Sequence, residues 1–152
     1  LGAAPGCWSQ VAAEKLAGKG RVIALDILEM AALPGVTFIQ GDFTEALVLA
    51  ELKIHLGKYP LDLVISDMSP NITGIGVTDQ ARGMYLAELA LEFSAERLNS
   101  NGNFLVKVFQ GSGFEGFLRA MRATFSRVIT RKPEASRGRS SELYLLGMGK
   151  RK

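Results

Sequence analysis

Short runs rich in β-branched and aromatic residues alternate along this chain with longer stretches whose apolar positions recur at helical spacing. Trp8 to Ala17 predicts a helix closed by Gly18-Lys19-Gly20, and Arg21 to Asp26 a buried strand ending in an acid. Val36 to Gln40 predicts a second strand, followed by Gly41-Asp42, after which Thr44 is placed to cap a helix running to about His55. Leu61 to Ser66 reads as a third strand ending at Asp67, and Asp79 as the cap of a long helix to about Leu98. Asn101-Gly102 is a turn signal, Asn103 to Phe109 a fourth strand, and Phe114 to Phe125 a helix. Arg127 to Arg131 and Glu142 to Gly147 read as strands joined by a polar loop, Pro133 to Ser141. Strands alternating with helices imply an α/β fold, a doubly wound and mostly parallel sheet with helices on both faces. The final pair is joined too briefly for a helical crossover and is expected to be antiparallel. Right-handed crossovers then collect strand ends on one edge, where ligands bind.

With 152 residues, 47% hydrophobic and 22% charged, the chain fits one globular domain spanning 1–152, without repeats or a linker. No apolar run is long enough to span a bilayer. Leu1-Gly2-Ala3-Ala4-Pro5 lacks the charged start of a signal peptide. A single cysteine, Cys7, excludes an intrachain disulfide, and with one histidine besides, a zinc site lacks ligands. A cytoplasmic monomer without metal or membrane attachment is expected. The net charge of +3 conceals an asymmetry: residues 1–96 hold six Lys+Arg against twelve Asp+Glu, whereas residues 97–152 hold twelve against three. A basic C-terminal half points to a polyanion, and nucleic acid is the expected partner. The chain begins at Leu1 on a Gly-rich turn that a strand would normally lead into, so an upstream segment is expected, and without it this piece is expected to fold poorly.

The candidate chemistry lies at the predicted strand ends. Gly2-Ala3-Ala4-Pro5-Gly6-Cys7-Trp8 precedes a helix, where small residues let a ligand approach free backbone N–H groups. It is neither the dinucleotide fingerprint nor a P-loop, so a carboxylate or amino-acid-like group suits it; read alone, it is equally a tight turn. Asp26 suits ribose hydroxyls, with a helix cap or solvated strand end as the alternative. Asp42 could accept from an adenine amino group while Phe43 packs on the ring. In Ser66-Asp67-Met68-Ser69-Pro70-Asn71 an acid is followed by a Pro-stiffened turn. Lys107 is costly within Phe104-Leu105-Val106-Lys107-Val108-Phe109 unless it is paired, functional or on an edge strand. Glu142 opens the last strand; the plain alternative is a surface partner for Arg137 or Arg139.

Taken together, these segments resemble the FtsJ/RrmJ family of ribosomal RNA 2′-O-methyltransferases. The resemblance is carried, in the family's order, by Leu1 to Gly6 with Trp8-Ser9-Gln10, Gln40-Gly41-Asp42-Phe43, Ser66 to Asn71, Val106-Lys107-Val108-Phe109-Gln110-Gly111, Arg131-Lys132-Pro133 and Ser136 to Glu142. It implies a Rossmann-like fold and S-adenosylmethionine as methyl donor, leaving S-adenosylhomocysteine (SAH). By motif position, Gly6 and Trp8 line the methionine and ribose end of the donor, Asp26 holds its ribose and Asp42 its adenine. Asp67 lies beside the donor at the reaction centre, Lys107 is the catalytic lysine and Glu142 its acidic partner. The family's active centre is a Lys-Asp-Lys-Glu set whose first lysine precedes the first motif and is absent from this sequence. Cys7 and Ser69 stand where the family usually has Gly and Ala. The match is closest to the bacterial large-subunit branch, which implies a uridine ribose of 23S rRNA as substrate.

The reaction implied is displacement at the sulfonium methyl by a ribose 2′ oxygen, with Lys107 as base or as a group that steers the hydroxyl. Arg131, Lys132, Arg137 and Arg139, with Arg119, Arg122, Arg127 and the Lys150-Arg151-Lys152 tail, are the expected RNA contacts. Other readings are a tRNA or cap ribose as substrate, a non-catalytic assembly factor that binds the donor, and a nicotinamide oxidoreductase, the last disfavoured by the missing G-x-G-x-x-G.

Overall fold

The computed structural model describes residues 1–134 and 140–152, so Arg137 and Arg139 lie outside the described residues. The chain divides into two compact units, Leu1–Tyr59 and Pro60–Lys152.

The first unit holds α1 (Cys7–Leu16), β1 (Val22–Asp26), β2 (Val36–Gln40) and α2 (Ala46–Leu56). β1 and β2 pair in parallel from Val22↔Val36 to Asp26↔Gln40, so both strands end at the same edge. Gly41 N–H donates to the Asp26 carbonyl at 2.8 Å and extends that edge by one residue. Ala3, Ala24 and Met30 form the local core, with Leu33, Val36 and Phe38 packed against it. α1 ends where Ala17 turns left-handed (φ 47°) and donates back to Ala13 and Glu14.

The sequence assigns Thr44 as the cap of α2, but Glu45 holds that position and no side chain caps the helix. Thr44 instead donates its N–H (2.8 Å) and its hydroxyl (2.7 Å) to Asp42 Oδ1. The acid two residues earlier competes successfully for the donors because an Asx-type turn needs no helical neighbour.

The second unit holds β3 (Leu61–Ser66), α3 (Gly76–Arg97), β4 (Leu98–Phe109), α4 (Phe114–Thr124), β5 (Phe125–Arg131) and β6 (Glu142–Lys150). Its strands pair in the order β3-β4-β6-β5. β3 and β4 are parallel, and β6 runs against both β4 and β5, as the short final connection predicts. β4 and β6 alternate strictly: Phe104, Val106, Val108, Leu143 and Leu145 are buried, while Leu105, Lys107, Phe109, Glu142, Tyr144 and Leu146 take the other face. α3 adds Met84, Ala87, Ala90 and Leu91 to the core, and α4 adds Phe117, Leu118 and Met121, at three- and four-residue spacing.

Phe104 and Phe125 stack with ring centroids 6.2 Å apart. The Phe125 ring occupies the space a side chain would take at Gly147, where an added Cβ would lie only 2.5 Å from the ring. Gly147 pairs with Phe104 on one side and Val128 on the other, so only glycine fits this point of β6.

Two further local expectations change. Asn101-Gly102 is not a turn ahead of the fourth strand, which begins at Leu98: Asn101 takes φ 73° inside β4, and the β3 register shifts from Leu61↔Leu98 to Leu63↔Asn103 around it. The turn signal is absorbed as an irregularity in a longer strand. Asp79 does not occupy the cap position of α3 either. That helix begins at Gly76, and Asp79 reaches back from its first turn to accept from Thr73 N–H (2.9 Å), Thr73 hydroxyl (2.8 Å) and Gly74 N–H (3.1 Å). Those bonds, the Thr73 backbone first, hold its carboxyl below the usual aspartate range.

Candidate active site

The predicted residues fall into two sets, one in each unit. In the first unit, Gly6 is buried at the entrance to α1 with φ 121°, a conformation that an L side chain rarely adopts. A Cβ there would also lie 3.0 Å from Leu33 Cδ1. Trp8 is half-buried in the first turn of α1, and Cys7 is exposed. Asp26 ends β1 at 9% exposure. Its Oδ2 accepts from Ala4 N–H and its Oδ1 from Leu28 N–H, each at 2.8 Å. A carboxylate offers about four acceptor sites, so two backbone donors fix its orientation and leave capacity for a pair of hydroxyls. Asp42 lies just past the matching end of β2, with Oδ1 engaged by Thr44. Phe43 is 5% exposed and packs in the protein interior. Two oriented carboxylates beside a backbone turn without side-chain bulk fit a nucleoside carrying ribose hydroxyls and an exocyclic amine. That is the acceptor set that S-adenosylmethionine requires.

The second unit brings the charged residues together. Asp67 immediately follows β3, and Lys107 lies two positions before Phe109, the last residue of the parallel neighbour β4. β4 is an interior strand, flanked by β3 and β6, so Lys107 is not an edge lysine reaching for solvent. Its side chain is 10% exposed, and Nζ sits 3.3 Å from Asp67 Oδ1 and donates to the Asp67 carbonyl at 3.2 Å. Its amino group is thus partnered by one carboxylate oxygen and the main-chain carbonyl of the same residue.

Tyr144, which the sequence reading passed over, completes the cluster. It lies directly across the antiparallel ladder from Lys107 and donates its hydroxyl to the same Asp67 Oδ1 at 2.9 Å. Burial, then the hydrogen bond to Asp67, then the charges of Asp67 and Glu142 raise its hydroxyl well above the usual tyrosine value, so it stays a donor. The available signal was its spacing: Tyr144 is two residues from Glu142 on one strand face, between Leu143 and Leu145.

Glu142 shares that face but lies opposite Phe109 in register. Asp67, and not Glu142, is the carboxylate within ion-pair distance of Lys107. Arg131 pairs in register with Tyr144, which puts the exposed Arg131 and Lys132 at the Glu142 end of the sheet. Lys132 Nζ donates to Ser140 O at 2.9 Å. Lys150 and Arg151 lie at the opposite end, where they donate to the carbonyls of Leu98 (2.9 Å) and Phe125 (3.3 Å). Among the described residues, Arg131 and Lys132 therefore lie toward one end of β6 and Lys150 and Arg151 toward the other.

Comparison with known proteins converges on one chemistry. A family model described as FtsJ-like methyltransferase matches residues 1–150. The chain is 79% identical over 151 residues to Ribosomal RNA large subunit methyltransferase E of Nitrosospira multiformis, covering 99% of this chain and 73% of that protein. It is 65% identical over 150 residues to the protein of the same name from Nitrosomonas europaea, with coverage of 99% and 73%. Among solved structures, a ribosomal RNA methyltransferase of Plasmodium falciparum superposes with TM-score 0.85 at 27% identity, covering 98% of this chain and 83% of that one. Human methyltransferase-like protein 13 in complex with SAH shares the fold at TM-score 0.64 and 14% identity, with 97% and 68% covered.

Proposed function

The chain belongs to the FtsJ-like methyltransferase family, and from that premise we propose that it transfers a methyl group from S-adenosylmethionine to the 2′-hydroxyl of a uridine ribose in 23S rRNA of the large ribosomal subunit. The family match over residues 1–150 supports reading both units as parts of one catalytic domain. The relatives named large subunit methyltransferase E support ribosomal RNA as the substrate class. The observation that carries the chemistry is the nearly buried Lys107 ammonium 3.3 Å from Asp67, on an interior strand.

S-adenosylmethionine, when bound, supplies an electrophilic methyl on a sulfonium. Asp26, fixed by Ala4 and Leu28 N–H, accepts the donor's ribose hydroxyls. Asp42 accepts from its adenine, Gly6 and Trp8 border the turn that admits it, and Phe43 supports that turn from the interior. Asp67 holds Lys107 in place. Lys107 aligns the substrate hydroxyl, and its Nζ, once it has given up a proton to solvent, takes the proton that the hydroxyl loses as the oxygen attacks. Tyr144 fixes Asp67 Oδ1 from the other side, so the carboxylate cannot swing away from the ammonium. Glu142 adds negative charge on the same face. Arg131 and Lys132, together with Arg137 and Arg139, take the RNA phosphates. Most of the acceleration comes from holding methyl and hydroxyl in line.

The test is methyl transfer from labelled S-adenosylmethionine by the protein encoded by the whole gene, on unmethylated large subunits, free 23S rRNA and tRNA. Label on a uridine 2′ oxygen of the subunit's rRNA is the expected result. Label confined to tRNA would reassign the substrate, and donor binding without any transfer would favour a non-catalytic assembly factor.

A further inference from the structure

The segment that runs from Asp67 into the first turn of α3 has no part in the chemistry above, yet it displays its apolar side chains openly. Ile72 is 81% exposed, Ile75 62% and Val77 84%. This loop is firmly tied. Asp79 receives three hydrogen bonds from Thr73 and Gly74, Ile75 N–H donates to Thr73 Oγ at 3.2 Å, and Asp79 N–H donates to Ile75 O at 3.0 Å. One turn into α3, Gln80 Nε2 donates to Phe109 O (3.0 Å) and Ser112 O (3.1 Å), which fastens the helix start to the exit of β4, the strand that carries Lys107. The ridge is thus pinned between the two strand ends that supply Asp67 and Lys107. From Pro70 to Thr78 it contains no charged side chain.

An apolar ridge held rigid in water beside a reaction centre is suited to a ligand with apolar faces. It has nothing to offer a phosphate. Unstacked nucleobases present such faces next to the ribose that carries the 2′-hydroxyl, and aliphatic side chains inserted against them are a known means of holding a distorted nucleic acid. We infer that Ile72, Ile75 and Val77 pack against unstacked bases of the substrate RNA next to the target ribose, while the basic residues hold its phosphates. This inference rests on the RNA methyltransferase reading and adds to it a base-contacting surface. Contact through base faces is tolerant of sequence, so the ridge selects for an open RNA conformation more than for a base identity.

The test is the triple variant Ile72→Ser/Ile75→Ser/Val77→Ser, compared with the unaltered protein for S-adenosylmethionine affinity, RNA affinity over a salt series, and kinetics on unmethylated large subunits. All three side chains are exposed, so no core packing is removed. The expected result is an RNA Kd and a subunit KM raised about tenfold or more, donor affinity within about twofold, and an unchanged slope of log Kd against log salt, because no phosphate contact is lost. Arg131→Ala/Lys132→Ala should instead flatten that slope. A single variant, Ile75→Trp, supplies an optical readout, and its emission should be quenched on adding RNA as bases stack on the indole. Unchanged RNA affinity in the triple variant overturns the inference. So does a shift from dimer to monomer in sedimentation with RNA binding intact, which would assign the ridge to a second copy of the chain. If the unaltered protein methylates no RNA, the functional reading fails first and this inference falls with it.

Discussion

The two units orient their candidate site acids by different means. In Leu1–Tyr59, Asp26 and Asp42 are held by backbone N–H groups and a neighbouring threonine at parallel strand ends. Their partners are neutral, and acceptor capacity remains on the carboxylates. In Pro60–Lys152, Asp67, Lys107 and Tyr144 are held by one another, across three strands. The first arrangement makes a stiff receptor that can lose one ligand contact and still present the rest. The second makes a coupled group in which each side chain determines the geometry and charge of the others. Binding and reaction are accordingly expected to respond to mutation in opposite ways, one site by site and the other all together.

Four substitutions test that contrast, from the largest effect to the smallest. Lys107→Ala should lower methyl transfer roughly a thousandfold, within the range a positioned proton-transfer group supplies, while leaving donor affinity within about twofold. Parallel loss of donor binding, measured by calorimetry, would erase the division of labour between the units. Asp67→Asn keeps the shape and removes the charge, leaving the enclosed Lys107 ammonium unpaired; kcat should fall about a hundredfold and the melting temperature should drop as well. Combined with Lys107→Ala it should cost much less than the product of the two single effects, and full additivity would show the pair to be independent. Asp26→Ala should raise the donor's KM about tenfold with kcat largely retained at saturation. It should also cost about 1–3 kcal/mol of stability, because Ala4 and Leu28 lose their acceptor. A kcat effect as large as that of Lys107→Ala would contradict the contrast.

Tyr144→Phe should have the smallest effect near neutral pH, a loss of about fivefold in kcat for one hydrogen bond. Its signature lies at alkaline pH. The folded protein holds the Tyr144 proton more tightly than the unfolded chain does, since burial and Asp67 raise it above the ordinary value of 10.0. The stability this contributes is complete below that pH and is lost as pH rises beyond it. Denaturant titrations between neutral and strongly alkaline pH should show that loss in the unaltered protein and a smaller one in Tyr144→Phe.

Sequence was most informative where local chemistry decides the structure. β2 and β3 were legible to the residue, and α1, β1 and α4 to within about one, because β-branched runs and glycine stops act over a few positions. Asp26, Asp67 and Lys107 stood out for the same reason, as charges in apolar strands or at their ends. What stayed hidden depends on partners distant in sequence. Tyr144 gains its place from a strand pairing thirty-seven residues away from Lys107, which no local pattern reveals. Asp79 looks like a helix cap but turns back to tie a loop, and Asn101-Gly102 looks like a strand break but is carried within β4 by its pairing with β3. Turn-forming residues announce a bend; whether the ladder resumes beyond it is decided by the neighbouring strand.

Because Lys107 and Tyr144 meet across a ladder, their alignment is only as good as the mating of two strands, and strands can slip. A shift of β6 by one residue would turn Tyr144 into the core and bring a leucine to face Asp67, with every backbone hydrogen bond remade and the chemistry gone. The Phe125 ring seated in the side-chain gap of Gly147 works against this like a key in its slot, since no other residue of β6 between Glu142 and Lys150, apart from Gly149, offers such a gap. A glycine and an aromatic ring outside the Asp67, Lys107 and Tyr144 cluster thereby set the tolerance to which that cluster is assembled.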